Sequence, residues 1–469
     1  MSLLQDLAAL LGAPNVLTGA DAAPWARDWT GAYHGEPMAV LRPGSTAEVS
    51  QAMRIAHAAR VPVVPASGRT GLTGATHAPE RLVLSLDRMR AVRSLNPATR
   101  TVVTEAGVIL STLHDRAEAE GLLFPLTFGA RGSAMVGGAL STNAGGSNVL
   151  RYGSARDLCL GIEAVLADGR VLDLMGELHK DNSGYALRHL FVGAEGTLGV
   201  ITAAALRLVP RPLAHATAMV ALPSLSDALR LLARAQEATG GGVEAFEWMP
   251  RSFIERHVAH KGGREPFEGR HEVNVLLEVG TTAPDEAAPG ADGAVPFVAR
   301  LERLLEAMLE DGTVLDAHLA RSEGERRAMW GRREAAAEIT FVKRPFVDTD
   351  VAVPLDRVEA FVADVRARLR ALDPEATDFL VAHLGDGNVH YTAHPTRDDP
   401  AHLLAVREAV DAAAVAQGGS FSAEHGIGLS KLPAMRAHKD AVALDVMRAI
   451  KGALDPLGLL NPGKTIPGP

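Results

Sequence analysis

The chain has 469 residues, 47% of them hydrophobic, and a formal net charge of −9 at pH 7. That length and apolar content suit two or three domains with buried cores, while the acidic balance argues against a general nucleic-acid or anionic-membrane surface. A single cysteine, Cys159, excludes an intrachain disulfide and a cysteine-held zinc or iron–sulfur site, and fits a reducing, cytoplasmic setting.

The N-terminal stretch, residues 1–37, opens Met1-Ser2-Leu3-Leu4-Gln5-Asp6-Leu7 without the positive leader of a signal peptide. No run approaches the roughly 18 apolar residues of a spanning helix, so membrane association is expected to be peripheral, through a partner. From Met38 strands and helices alternate. Ala39-Val40-Leu41 is followed by a helix opened by Ser45-Thr46-Ala47-Glu48, at capping-box spacing, and running to Arg60. The strand Val61–Val64 leads into the loop Pro65-Ala66-Ser67-Gly68-Arg69-Thr70-Gly71-Leu72-Thr73-Gly74. Strands Leu82–Leu84 and Thr101–Glu105, a helix near Ser111–Glu120 and a glycine-dense run from Gly129 to Gly146 come next. Ile162–Ala167 and Arg170–Leu174, joined by Asp168-Gly169, form a hairpin pattern. Pro210 and Pro212 interrupt the alternation, which restarts with a helix from Ser224 to Gly240. Strands are expected near Val243–Trp248, Val273–Val279, Phe346–Val353 and Phe379–Leu384, and a flexible loop from Gly280 to Pro296.

Two late segments concentrate chemistry: His383-Leu384-Gly385-Asp386-Gly387-Asn388-Val389-His390 and Ser422-Ala423-Glu424-His425-Gly426-Ile427-Gly428. The first reads as a hairpin with a four-residue loop, Gly385–Asn388, pairing Leu384 with Val389 and His383 with His390. Opposed Cβ atoms lie about 4.5–5.5 Å apart, close enough for two imidazoles to share a divalent ion with Glu424 as third ligand. The hairpin alone reads equally as two polar residues across a turn. The adjacent Glu424-His425, between glycines, favours chemistry.

Glycine clusters at Gly68–Gly74, Gly137–Gly146 and Gly193–Gly199 expose backbone amides suited to phosphate oxygens. They follow neither the strand-to-helix dinucleotide fingerprint nor the P-loop. Three clusters in one domain imply a long ligand.

Pro65–Gly74, Gly138–Gly146, Arg151-Tyr152-Gly153, Lys180–Tyr185, Leu190–Gly199, His383–His390, Ser422–Gly428 and Leu460-Asn461-Pro462-Gly463-Lys464 together resemble the FAD-linked oxidases of the vanillyl-alcohol oxidase and p-cresol methylhydroxylase type. The branch most resembled is that of the D-2-hydroxyacid dehydrogenases, which includes D-2-hydroxyglutarate and D-lactate dehydrogenases and the glycolate oxidase flavin subunit. The resemblance implies an α+β fold: a two-subdomain FAD-binding domain at residues 38–212 and an α+β substrate, or cap, domain with an antiparallel sheet at 213–405. A segment at 406–469 returns to the flavin. It implies FAD contacts at Pro65, Gly68, Arg69, Thr70, Gly71, Gly74, Ser133, Gly138, Thr142, Asn143, Gly145, Glu195, Gly196, Thr197 and Asn461. Non-covalent FAD is expected, because the first loop has Arg69-Thr70-Gly71 where covalent members carry histidine, and His77 lies too far along.

The resemblance also implies that His383, His390 and Glu424 bind zinc or manganese, that His425 is the catalytic base, and that Arg333 grips the substrate carboxylate with Lys343, Thr392 and His425 nearby. Arg321, Arg326, Arg327 and Arg332 surround Arg333, so a solvated helix face is the competing reading. Ala337 and Asp348 stand where hydroxyglutarate-type members carry a threonine and a lysine for the second carboxylate. The strand Asp348–Pro354 looks more like D-lactate members, whereas Lys180–Tyr185 looks more like the hydroxyglutarate branch. Both acids stay open, as do a glycolate-oxidase-type flavin subunit working only in a complex and a flavin-free metal-dependent hydrolase. Quinone, cytochrome or electron-transfer flavoprotein could accept the electrons, and homodimer formation is left open.

Overall fold

The computed structural model describes residues 2–468. They form two compact units. The first comprises Met1–Gly145, Gly153–Pro210 and Glu424–Pro469; the second comprises Gly146–Tyr152 and Arg211–Ala423.

In the first unit, β1 (Val16–Leu17), β2 (Ala39–Leu41), β3 (Val63–Ala66) and β4 (Leu82–Ser85) make a four-stranded sheet in the order β1-β2-β4-β3, parallel at β2/β4 and β4/β3. The strands β2 and β4 are buried throughout, as expected where helices cover a parallel sheet. The crossover helix Thr46–Ala58 starts at Ser45, whose hydroxyl accepts from the Glu48 amide at 3.2 Å. The Glu48 carboxylate closes on the Gly44 amide at 2.7 Å, one residue earlier than a capping box requires. A second sheet has β5 (Val92–Asn96), β6 (Thr101–Glu105), β8 (Cys159–Val165), β9 (Val171–Leu174) and β10 (Val200–Arg207), antiparallel in the order β5-β6-β10-β8-β9. The short strands β7 (Leu122–Leu123) and β11 (Val209–Pro210) pair beside it. The last piece of chain completes this unit: the Asn461 amide donates to the Val63 carbonyl, and the Val63 amide to that of Leu459, both at 2.8 Å.

The second unit is a seven-stranded antiparallel sheet of β12 (Ala214–Leu222), β13 (Val243–Pro250), β14 (Val273–Thr281), β15 (Asp316–Leu319), β16 (Val347–Ala352), β17 (Thr377–His383) and β18 (Asn388–His394), ordered β15-β12-β14-β13-β17-β18-β16. Alternation along each strand divides its faces. One face sends Phe246, Trp248, Val275, Leu277, Leu380, Ala382, Val389 and Tyr391 into the main core, under the helices Leu225–Ala238, Pro296–Glu310, Val358–Leu372 and Pro400–Ala416. On the other face lies a smaller cluster, including Met249, Phe379 and Val381, against the helices Arg251–Lys261, Glu323–Glu334 and Ala336–Thr340. The polar residues Glu247, His383, His390, Thr392, Asp350 and Asp348 share the parity of that second face.

Two expectations are corrected. Gly280–Pro296 holds a short helix, Pro284–Ala287, fastened by Thr281 Oγ1 donating to Glu286 at 2.9 Å. In the β17/β18 hairpin His383 opposes Asn388 and Val381 opposes His390, so the loop is Leu384–Gly387 and the two histidines are diagonal rather than opposed. Gly387 explains the register: its φ is +80°, and a Cβ there would lie 2.1 Å from the Val353 carbonyl oxygen. Only glycine fits that corner, which fixes the loop one residue earlier. The offset is even, so both imidazoles remain on one face.

Candidate active site

Within the second unit, His383 and His390 present rings whose centroids are 5.3 Å apart at 79°. Glu247, directly opposite His383 across β13/β17, accepts from His383 Nδ1 at 2.8 Å. Arg333, from the helix Glu323–Glu334, donates through Nε to Glu247 at 2.7 Å, and its Nη2 lies 3.4 Å from the His383 ring nitrogens. Glu247 is 1% exposed and Arg333 8%, which rules out the solvated-face reading of this arginine. Burial alone would raise the Glu247 carboxyl, but the charges and hydrogen bonds of His383 and Arg333 outweigh it and hold it down to about 2. Asp350, fully buried, lies 3.7 Å from His390 Nδ1 and accepts from Asn388 Nδ2 at 2.9 Å and from the Ala423 amide at 3.2 Å. Each imidazole thus turns its Nδ1 toward a buried carboxylate. Such outer carboxylates set the tautomer and orientation of metal-binding histidines, so the donors fit a divalent cation of the zinc or manganese kind.

Of the remaining substrate expectations, Lys343 and Thr392 fall on the same unit, whereas His425, like Glu424, belongs to the first. Thr392 Oγ1 donates to Asp348 at 2.8 Å, and Lys343 Nζ to Thr377 Oγ1 at 2.7 Å on an exposed edge. A second group there, His215, Glu244 and Glu278, has ligand-type atoms within 4.8 Å of one another. Its charge is already balanced: Arg151 and Tyr152 hold Glu244, while Arg326 and Trp330 hold Glu278. It reads as an ion-pair network within the sheet.

Within the first unit the three glycine clusters converge. A Cβ on Gly68 would lie 2.5 Å from the Ser133 carbonyl oxygen, so the first loop rests on the backbone before Gly137 and Gly138. A Cβ on Gly138 would meet Ser67 at 3.4 Å, and one on Gly196 would meet Pro65 at 3.1 Å. The Glu195 amide donates to the Ser141 carbonyl at 2.8 Å and that of Gly193 to Leu140 at 3.0 Å. Asn143, Glu195 and Asn461 adopt left-handed φ of 51°, 51° and 44°. Among the described residues, the backbone amides from Gly68 to Gly74 donate no hydrogen bond. A run of such donors, on a loop with little side-chain bulk, is a cradle for phosphate and carbonyl oxygens. The residues present therefore fit FAD.

Some expected contacts have protein partners of their own. The Arg69 guanidinium turns to the Pro24 carbonyl and the Trp25 ring, leaving its backbone as what the loop can offer a ligand. Thr142 Oγ1 donates to Gly138 at 3.1 Å, and Thr197 Oγ1 to Ala194 at 2.7 Å. Gly74 backs onto the Tyr33 ring, whereas nothing lies within 4 Å of a Cβ at Gly71. The buried Glu195 carboxylate accepts the Ile427 and Gly428 amides at 2.8 and 2.9 Å and so fixes the loop that carries His425. Burial pushes its carboxyl up, against the pull of those amides. Asn461 Nδ2 ties to the Glu195 carbonyl at 2.7 Å. Glu247 and Asp350 escaped sequence reasoning; the signal for Glu247 was a charged residue among the apolar Ala245-Phe246 and Trp248-Met249, whereas Asp350 lies in the polar run Asp348-Thr349-Asp350.

Residues 37–175 match the model of the FAD binding domain, and 211–465 that of the FAD linked oxidases, C-terminal domain. A D-2-hydroxyglutarate dehydrogenase of Xanthomonas citri pv. viticola is 37% identical over 95% of this chain and 92% of its own. The mitochondrial D-2-hydroxyglutarate dehydrogenase of Bos taurus is 36% identical over 94% and 79%. The solved p-cresol methylhydroxylase has the same fold, with a TM-score of 0.77 at 14% identity over 99% of this chain and 96% of its own. No helix among the described residues is long and apolar enough to cross a membrane. Glycine cradle, C-terminal domain and full-length relatives agree: the chain belongs to the family of FAD-linked oxidases and is an FAD-binding oxidoreductase.

Proposed function

We propose that the protein oxidises a small D-2-hydroxy acid to the 2-oxo acid. The observation that carries this reading is the buried Arg333–Glu247–His383 chain beside His390: a fixed cation for a carboxylate next to imidazoles for a hydroxyl. Relatives at 36–37% identity bearing the name D-2-hydroxyglutarate dehydrogenase support it.

Arg333 binds the substrate carboxylate with the end of its planar fork. His425 accepts the hydroxyl proton at an imidazole nitrogen. Glu424 and His425 follow Ala423 directly, and the Ala423 amide is held by Asp350, His390's neighbour; chain continuity thus supports Glu424 as the third ligand. His383, His390 and Glu424 would hold a zinc or manganese ion, which stabilises negative charge on the substrate oxygen. Bound FAD, held non-covalently through Pro65–Gly74, Ser133, Gly138–Gly145, Glu195–Thr197 and Asn461, supplies the acceptor for the α-hydrogen and its electron pair. The electrons leave to a quinone, cytochrome or electron-transfer flavoprotein.

Anaerobic bleaching of the flavin by D- and L-2-hydroxy acids, with and without chelator, tests the reading. Bleaching by D-acids only, slowed by chelation and lost in His425→Ala, is expected; a flavin that no D-2-hydroxy acid reduces would sink it. A second reading concerns the acid. Asp348 puts an anion on the face that would meet a second carboxylate, which favours D-lactate over the D-2-hydroxyglutarate named for the relatives.

A further inference from the structure

We propose that Glu247 is a positioning residue that sets Arg333 and His383 together, so that one buried carboxylate governs both the grip on the substrate carboxylate and the imidazole that binds the ion. This rests on the reading above and extends it to a residue that touches neither substrate nor ion.

The contact is built into the sheet. Glu247 and His383 are direct cross-strand partners, so their side chains leave the same face at the shortest inter-strand spacing. Arg333 descends on them from the helix Glu323–Glu334. The Glu247 carboxylate accepts from His383 Nδ1 at 2.8 Å and from Arg333 Nε at 2.7 Å, all three residues being at most 8% exposed.

Three consequences follow from those atoms. A proton held on Nδ1 makes Nε2 the nitrogen with a lone pair for a cation, and the neighbouring carboxylate makes that lone pair more basic. Arg333, engaged with Glu247 through Nε and with Nη2 3.4 Å from the His383 ring nitrogens, has Nη1 and the second Nη2 hydrogen as donors for a carboxylate. Because both partners share one carboxylate, displacement of either is felt by the other. Stability does not account for the arrangement: apolar residues of similar volume generally serve a buried site as well as or better than an ion pair.

Metal affinity, measured by competition of zinc and manganese with a chromophoric chelator on flavin-loaded protein, separates this role from a merely structural one, together with KM and kcat for D-lactate and D-2-hydroxyglutarate. Glu247→Gln, of equal size, is expected to bind metal about 10–100-fold more weakly and to raise KM. Arg333→Met raises KM and, because it shares Glu247 with His383, weakens metal binding as well, but less than Glu247→Gln does. In the Arg333→Met background Glu247→Gln adds nothing further to KM yet still weakens metal binding; that double variant also removes the unpaired buried charge, should the single variant fail to fold. Folded, flavin-loaded Glu247→Gln with wild-type metal affinity and wild-type KM overturns the proposal, and so do strictly additive effects on KM. Wild-type protein that binds neither metal overturns the metal reading and this inference with it. Metal binding without reduction of the flavin by any D-2-hydroxy acid removes the proposed reaction and the Arg333 half of the inference, while loss of metal affinity in Glu247→Gln still upholds the His383 half.

Discussion

Gly68 has no room for a side chain, because the neighbour a methyl would strike is backbone, the Ser133 carbonyl oxygen, rather than a movable side-chain tip. Gly68→Ala must separate the first loop from the second, at the cost of about 1–3 kcal/mol typical of overpacking. Flavin retention on dialysis is therefore expected to weaken by roughly tenfold or more. Lys464 gives a pH signature. Burial, then the nearby Arg81, push its ammonium down to about 7 against the pull of Glu195. Between that value and the ordinary lysine range the unfolded chain holds a proton that the folded chain does not, so this group makes stability rise with pH from about 7 upward. Lys464→Met removes that rise. Its melting temperature relative to wild type should be most favourable near pH 6 and fall steadily toward pH 10; a flat difference would show that Lys464 titrates normally. Neither feature was legible in the sequence. In the sequence Lys464 is only the last residue of Leu460-Asn461-Pro462-Gly463-Lys464, and its burial comes from chain hundreds of residues away, including the His77 carbonyl to which it donates.

At the scale of strands, periodicity carried most of the reading. Histidines seven apart around a glycine turn gave the hairpin and the shared face of its two imidazoles, while the polar alternation Asp348-Thr349-Asp350 on β16 went unread. The register was misread because composition identifies a turn but not which glycine takes the left-handed corner. The strand Ala214–Leu222 was missed altogether: alanine alternating with larger residues is a poor strand signal, and only its place beside β14 makes it one. Strand order β13-β17-β18-β16 also orders the charges, from Arg333 over Glu247 and His383, through His390, to Asp348 on the far strand. An acid gripped at Arg333 would direct its tail toward an anion. Asp348→Lys is accordingly expected to shift the kcat/KM ratio toward D-2-hydroxyglutarate and away from D-lactate by roughly tenfold or more, as reversal of a nearby charge implies. An unchanged ratio would place the tail elsewhere.

Over the whole molecule, the flavin-binding unit is discontinuous in sequence, and its third piece is bonded into the first two. Leu429 and Ser430 donate to the Thr73 carbonyl at 2.8 and 3.1 Å, and Lys451 Nζ donates to those of Thr197 and Leu460, both at 2.7 Å. A chain ending at Ala423 would leave the Glu195 carboxylate buried without the Ile427 and Gly428 amides. Such a truncation is expected to be colourless after purification, whereas full-length protein absorbs near 450 nm as flavoproteins generally do, roughly in the blue. The resemblance implies a separate last segment at 406–469; the piece that belongs to the first unit begins at Glu424. The transfer of Gly146–Tyr152 to the second unit was not legible, because it depends on Arg151 and Tyr152 finding Glu244 far along the chain.

That discontinuity has a consequence for synthesis. A ribosome finishes every residue of the second unit before it reaches Glu424, so the sheet bearing His383 and His390 can fold on the nascent chain while the first unit still lacks its final piece. Flavin capture is then expected as the closing event of biogenesis, because a chain stalled before Glu424 lacks the amides that hold the Glu195 carboxylate.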